Sequence, residues 1–251
     1  MRRAIADGEL RLHYQPVVQL GTGQVHHLEA LVRWRRADGG MVQPNEFIPI
    51  AEQNALVRPL TLWVLREALR QAAKWRDAGL PHHVAVNLSP LVVNDHRLAA
   101  DISRIIRETA ASPDWLTLEI TEGALLTDPG GVGEALNVLH QTGASLAIDD
   151  FGTGYSSLSR LRGLPVEQLK IDRSFTQDMD TNEDDALFAQ SIIQLGHHRH
   201  LQVVAEGVET DAARDMLVGM GCDLAQGFVI AAPMSAEDIE IWLQEPQAVA
   251  S

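Results

Sequence analysis

Seven of the eight short apolar runs in this chain carry one polar residue at or beside their carboxyl end, and helix-like runs separate most of them. Strands are expected at Leu10 to Leu20, Val25 to Trp34, His83 to Leu88, Leu116 to Thr121, Ser145 to Asp149, Gln168 to Ile171, Gln202 to Ala205 and Asp223 to Phe228. Between them, Leu62, Leu65, Leu69 and Ala72 recur at the three-four spacing of one helical face, as do Phe188, Ile192 and Leu195. Repeated alternation of this kind calls for parallel strands covered by helices, and eight such strands close into a barrel. The first two runs break the rule. Only Gly21-Thr22-Gly23-Gln24 separates them, which suits a hairpin and therefore an antiparallel pair. A chain of 251 residues, 45% of them hydrophobic, matches the usual barrel length of about 250. The expected architecture is one α/β domain over residues 1–251, a modified TIM (β/α)8 barrel with an antiparallel first strand.

Barrel enzymes build their sites at the carboxyl ends of the strands. The polar residues there are Glu29, Asn87, Glu119, Asp149, Lys170, Glu206 and Gln226. Each taken singly reads as an ordinary hydrogen-bonded rim residue; seven on one rim read as a site. The apolar strand Ser145-Leu146-Ala147-Ile148 runs into Asp149 and Asp150 and then into Phe151-Gly152-Thr153-Gly154. Adjacent carboxylates repel unless a cation sits beside them, so the pair points to metal, against the plainer alternative that Asp150 caps a following helix. Three carboxylates and one amide oxygen form a hard donor set, suited to Mg²⁺ or Mn²⁺ and unlike the Cys and His set of zinc. Asp150 offers a place for a second ion. Paired divalent ions about 3.5 to 4 Å apart are the usual machinery of phosphodiester hydrolysis. Glu29, Leu31 and Arg33 share one strand face, so a metal ligand and a phosphate-binding guanidinium point into the same mouth. Lys170 and Asp172 share a face in the same way, with Lys170 read as acting near the water or the scissile phosphate.

Acidic residues outnumber basic ones, 34 to 20, for a formal net charge of −14, which argues against a nucleic-acid polymer or an anionic membrane as partner. Cys222 stands alone, so no intramolecular disulfide forms and a reducing, cytoplasmic setting is expected. No apolar run approaches the roughly 18 residues of a membrane helix, and Met1 to Gly8 lacks the apolar centre of a signal peptide. That segment reads as a helix already under way.

Seven segments together carry a resemblance: Leu12-His13-Tyr14-Gln15-Pro16, Glu29-Ala30-Leu31-Val32-Arg33-Trp34, Val86-Asn87-Leu88-Ser89, Glu119-Ile120-Thr121-Glu122, Asp149 to Gly154, Lys170-Ile171-Asp172 and Val204-Ala205-Glu206-Gly207-Val208-Glu209. In order and spacing the chain resembles the EAL-domain cyclic-di-GMP phosphodiesterases from about Leu10 to Met234. The resemblance implies hydrolysis of cyclic di-GMP to linear pGpG. It implies that Glu29, Asn87, Glu119 and Asp149 ligate a first metal and Asp150 a second, that Lys170 holds the attacking water, and that Glu206 is general base or a further ligand. Gln15, Leu31, Arg33, Asp172, Glu209 and Gln226 would line the substrate groove. Glu122 would anchor the loop from Asp150 to Leu158, which in this family links the metals to a homodimer interface. Ca²⁺ is expected to bind and inhibit. Relatives often carry sensory or GGDEF domains upstream. Some have lost catalysis and act as cyclic-di-GMP receptors or interaction modules, but here the ligand set is complete. The chain departs from the family at Phe228, where Tyr is common, and at Arg35 to Gly40, which lacks the usual His-Pro. His197, His198 and His200 fall at a helix end away from the rim and read as a solvated last turn.

Overall fold

The computed structural model describes all residues except 2–3, 6–7, 37, 81–82, 128–130, 155–160 and 245–251. Among the described residues nine strands are formed: β1 (Leu10–Gln19), β2 (Val25–Arg35), β3 (Met41–Val42), β4 (His83–Leu88), β5 (Leu116–Thr121), β6 (Ser145–Phe151), β7 (Gln168–Ile171), β8 (Gln202–Ala205) and β9 (Leu224–Ala225). Eight of them close a barrel in the order β1-β9-β8-β7-β6-β5-β4-β2, sealed by pairing of β1 with β2, while β3 adds to the far end of β2. Strand β1 runs antiparallel to both its neighbours and the remaining barrel pairs are parallel. The reversal follows from the five-residue connection Leu20 to Gln24, since a parallel neighbour needs a crossover of a dozen or more residues.

The helices are α1 (Pro44–Gln53), α2 (Val57–Asp77), α3 (Pro90–Val93), α4 (Leu98–Thr109), α5 (Ala124–Thr127), α6 (Gly131–His140), α7 (Glu183–His198), α8 (Asp211–Gly219) and α9 (Ala236–Gln244). Strand periodicity of two decides what each side of the barrel wall sees. Leu28, Val84, Val86, Leu118, Ile120, Leu146, Ile148, Leu169 and Val203 face outward and join the helices in the main core. Val17, Val204 and Leu224 form a small separate cluster. The intervening positions, among them Glu29, Asn87, Glu119, Asp149 and Lys170, turn toward the barrel axis. Helix α7 comes close to the wall because Gly196 has no side chain: a Cβ there would lie 2.3 Å from Val203 Cγ2.

Three expectations need correction. The eighth strand shrinks to Leu224–Ala225, because the backbone at Gly227 packs on Val208 so closely that a Cβ would meet Val208 O at 2.0 Å, drawing the chain out of the sheet. Phe188 is 57% exposed, stacked on Phe175 at 5.4 Å, and the buried face of α7 is Ala189, Ile192, Ile193 and Gly196. Strand β3, only two residues long, is too short to leave a periodic signal in the sequence. On α2, Leu65, Leu69 and Ala72 are buried as expected and Leu62 is partly buried. Half of the segment Met1 to Gly8, where a helix is expected, falls outside the described residues, with Ala4 and Ile5 helical, and residues 155–158 of the loop from Asp150 to Leu158 also fall outside. No described helix is long and apolar enough to cross a membrane.

Candidate metal centre at the barrel mouth

Lys170 is the floor of the site. It is wholly buried, and its Nζ lies 2.6 Å from Glu206, 2.9 Å from Glu119, 3.1 Å from Asp149 and 3.9 Å from Glu29. Burial pulls an ammonium toward neutrality, but here Asp149, Glu119, Glu206 and Glu29 outweigh it and hold Lys170 charged, its pKa well above the ordinary lysine value. One ammonium cannot neutralise four carboxylates. Burial pushes Glu119 well above the usual carboxylate range against the pull of Lys170, and Glu206 is pushed up to about 8 by burial, opposed by Lys170 and reinforced by Asp149. Glu29 goes the other way. Burial raises it, yet Lys170 and hydrogen bonds from Gln226 and Asn87 leave it lowered.

The paired acids reach the mouth together because β6 is bulged. Ile148 pairs with Leu169 and Phe151 with Ile171, so Asp149 and Asp150 stand opposite the single residue Lys170. Asp150 takes a left-handed conformation, φ 54°, which re-aims its carboxylate; in a regular strand adjacent side chains would point to opposite faces. One carboxylate oxygen from each of Asp149, Asp150 and Glu206 lies within 4.8 Å of the others. Burial, Asp149 and Asp172 together push Asp150 up to about 6.

Glu122 holds the loop that follows. Its Oε2 accepts hydrogen bonds from the N–H of Gly152 at 2.9 Å and of Gly154 at 3.2 Å, while its own N–H donates to Asp149 O at 2.8 Å. Gly152 and Gly154 are needed there. At Gly152, φ 106°, a Cβ would meet Phe175 at 2.7 Å, and at Gly154 it would meet the Glu122 carboxyl at 3.0 Å. On the other side of the barrel, Glu29 Oε1 accepts from Asn87 Nδ2 at 2.6 Å and Oε2 from Gln226 Nε2 at 2.7 Å. Gln226 also donates to Gln15 Oε1 at 3.2 Å, and Gln15 donates to Ala231 O at 3.0 Å.

A groove of about 260 Å³ opens over these acids, lined by Gln15, Glu29, Leu31, Asp149, Glu206, Glu209 and Gln226 among the expected residues. Arg33 and Asn87 line instead an adjoining, more apolar pocket of about 340 Å³ under α1 and α2, which shares Leu31. Glu119 and Lys170 lie beneath the groove. Asp172 does not line it: Oδ1 accepts from Ser174 N at 3.0 Å, capping the turn Arg173–Phe175 beside Asp150. The groove also takes in Arg173 and Phe228. Arg173 was visible only as the residue after Lys170-Ile171-Asp172, and nothing in its spacing shows that it reaches the mouth. His197, by contrast, lies with its Nε2 2.9 Å from Asp223 Oδ2, away from the acids.

The donor set fits a hard divalent cation. Carboxylate oxygens exceed the positive charge available to them, and the fully buried Glu119 Oε2 finds no hydrogen-bond donor among the described residues. A cation sharing oxygens of Glu29, Asn87, Glu119 and Asp149 would relieve that excess, and Asp149, Asp150 and Glu206 form a second oxygen group.

The EAL domain family model matches residues 1–233. The chain is 40% identical over 245 residues to cyclic di-GMP phosphodiesterase NbdA of Pseudomonas aeruginosa, covering 97% of this chain and 31% of that protein. It is 39% identical over 240 residues to the bifunctional diguanylate cyclase/cyclic di-GMP phosphodiesterase MucR of the same species, covering 95% and 35%. This chain thus spans about a third of the length of these curated relatives. Among solved structures, the PaMucR phosphodiesterase in complex with c-di-GMP superposes with a TM-score of 0.91 at 39% identity, covering 95% of this chain and 97% of that one. The EAL domain of Mycobacterium smegmatis DcpA gives 0.80 at 36% identity, covering 93% and 97%. With the reversed first strand, the strand-end acids and these matches in agreement, the chain belongs to the EAL domain family.

Proposed function

We propose that this chain hydrolyses one phosphodiester of cyclic di-GMP to give linear pGpG, with two Mg²⁺ or Mn²⁺ ions as cofactors. The observation that carries this reading is the convergence of Glu29, Glu119, Asp149 and Glu206 from four strands on one buried ammonium, beneath a mouth that also holds Asp150. Relatives named as cyclic di-GMP phosphodiesterases support the substrate.

Glu29, Asn87, Glu119 and Asp149 would hold one ion and Asp150, with Asp149, the other. Bound there, divalent ions supply a nucleophile at neutral pH and neutralise charge on the phosphate and the leaving oxygen. The chain's own residues do the rest. Lys170 holds the attacking water, and Glu206, within 2.6 Å of Lys170, takes up a proton of that water. The new bond forms between the water oxygen and phosphorus. The bond from phosphorus to the 3′ oxygen breaks, and that oxygen takes a proton from solvent and stays on the linear product as a 3′ hydroxyl, so the product keeps a 5′ phosphate. Gln15, Leu31, Glu209 and Gln226 orient the dinucleotide in the groove, with Arg33 on a phosphate and Asp172 at the edge of the loop. Glu122 fixes the loop that presents Asp150. A homodimer coupled to that loop, an upstream sensory or GGDEF domain and a cytoplasmic location complete the proposal. Incubating the purified chain with cyclic di-GMP and Mg²⁺ or Mn²⁺, and resolving the products, tests it: pGpG should accumulate.

A further inference from the structure

The amino-terminal end of the barrel, opposite the acids, carries a second group of ligating side chains. Strand β2 is bulged there: Val17 of β1 pairs with His27 and Val18 with Val25, so His26 is the extra residue. In a regular strand adjacent side chains point to opposite faces, and the bulge removes that alternation. His26 Nδ1 stands 2.9 Å from His27 Nδ1, with the two rings at 79°. Parallel pairing places His83 of β4 directly beside His27. Three imidazoles thus gather at one end of two neighbouring strands.

The donors are unlike those at the mouth. Among the described residues no carboxylate is paired with His26 or His27, and burial, with His83 nearby, lowers the pKa of His26 and favours the neutral form that ligates. His83 is close enough to act on both rings, and it is exposed, so its side chain is free to turn toward them. An imidazole set without carboxylates suits Zn²⁺, Ni²⁺ or Cu²⁺ and does not suit Mg²⁺.

The spacing agrees with ligation. Two nitrogens each about 2.0 to 2.1 Å from one ion, at octahedral to tetrahedral angles, stand about 2.8 to 3.4 Å apart, and the His26–His27 separation falls in that range. Without an ion, one ring keeps a proton on Nδ1 and donates it to the other. A buried histidine locked in that tautomer is normally held by a partner on its second nitrogen. His27 has none: its Nε2 is buried with no hydrogen-bond partner among the described residues. Nothing on Nε2 therefore keeps the proton on Nδ1, and the Nδ1 lone pair can turn to an ion.

We propose that His26, His27 and His83 form a transition-metal site for Zn²⁺, Ni²⁺ or Cu²⁺ that ties β2 to β4 at the amino end of the barrel, separate from the acids at the mouth. The site does not depend on which substrate the mouth takes. The test uses the purified chain without a histidine tag, in excess Mg²⁺, as wild type, His26→Ala, His83→Ala and His198→Ala; His198 is an exposed histidine of α7 whose ring meets Gln194 O. Ni²⁺ binding is measured by calorimetry, and the donors are read from the electron paramagnetic resonance spectrum of bound Cu²⁺. Wild type should bind Ni²⁺, and its Cu²⁺ spectrum should show nitrogen coupling from more than one imidazole. His26→Ala and His83→Ala should each weaken Ni²⁺ binding at least about tenfold, since loss even of a group that only supports a ligand costs about that much. Each should also lose nitrogen coupling, and His198→Ala should match wild type. His26→Gln and His83→Gln, closer in size, are read instead where an alanine variant does not fold. A Cu²⁺ spectrum with oxygen donors only, or Ni²⁺ affinity unchanged in either the His26 or the His83 variant, would overturn the site and leave His26 and His27 a hydrogen-bonded pair.

Discussion

The Nζ of Lys170 lies 2.6 Å from Oε1 of Glu206, and neither group is spare: among the described residues of the site the ammonium is the only positive charge set among the buried carboxylates of Glu29, Glu119 and Asp149 and the partly buried one of Glu206. Removing it leaves uncompensated acids in the interior, a loss that costs about 3 to 5 kcal/mol in buried pairs. Lys170→Met should therefore lower the melting temperature at neutral pH, and Mg²⁺ or Mn²⁺ should restore more of it than they add to wild type. Hydrolysis should drop at least about 100-fold with cyclic-di-GMP binding largely kept. A variant of wild-type stability with no extra metal response would show that the four acids are not electrostatically joined to Lys170.

Glu122 touches no proposed substrate atom, yet it ties the N–H groups of Gly152 and Gly154 next to Asp150. Glu122→Ala frees that segment, and Asp150 loses the support for its left-handed geometry. Turnover should fall about tenfold or more, and the metal concentration needed for half-maximal rate should rise. Unchanged turnover at every metal concentration would separate the loop from the reaction.

Much of the barrel is legible in the sequence, because the parallel strands are short apolar runs with clear ends. The strands His83–Leu88, Leu116–Thr121, Gln168–Ile171 and Gln202–Ala205 have the bounds that pattern gives. Each rim residue is legible too, as a polar side chain in an apolar run. The bulge at Asp149 and Asp150 is not, since nothing in the residue types shows two of them facing one on the partner strand. Nor are Arg33 and Asp172 placed well by periodicity alone. Arg33 shares a face with Glu29 but leans into the neighbouring pocket, and Asp172 spends its carboxylate on a turn. Phe188 fits a helical stripe in sequence yet lies outside, because Gly196 draws the opposite part of that face onto the sheet.

Ca²⁺ provides a test of the donor set. It prefers six to eight oxygens at about 2.3 to 2.6 Å, against about 2.0 to 2.1 Å for octahedral Mg²⁺. The all-oxygen site should bind it, raising the melting temperature above that in chelator, while hydrolysis stops. Cyclic di-GMP should stay bound and intact until Mg²⁺ is added in excess. Rapid cleavage with Ca²⁺ alone would contradict the geometric argument.

Cys222 reports on the barrel wall. Burial pushes its thiol up to about 12, and Sγ lies 3.5 Å from Val203 O and 3.4 Å from Leu224 O. The folded value exceeds the unfolded one of about 8.5, so this contribution to stability is complete below the unfolded value and is lost as pH rises toward the folded one. At pH 8 a thiol reagent should leave the folded protein unmodified and react in step with unfolding in urea. Fast modification without denaturant would mean that β8 and β9 open locally.

The acids gathered around Lys170 are proposed to make this chain a metal-dependent hydrolase of cyclic di-GMP. The most direct measurement is a time course of purified protein with cyclic di-GMP, run with Mg²⁺, with Mn²⁺ and with chelator, with products separated by chromatography. With either ion pGpG should form many times over per protein molecule, and none should form in chelator. Cyclic di-GMP left intact in both metal buffers would contradict it.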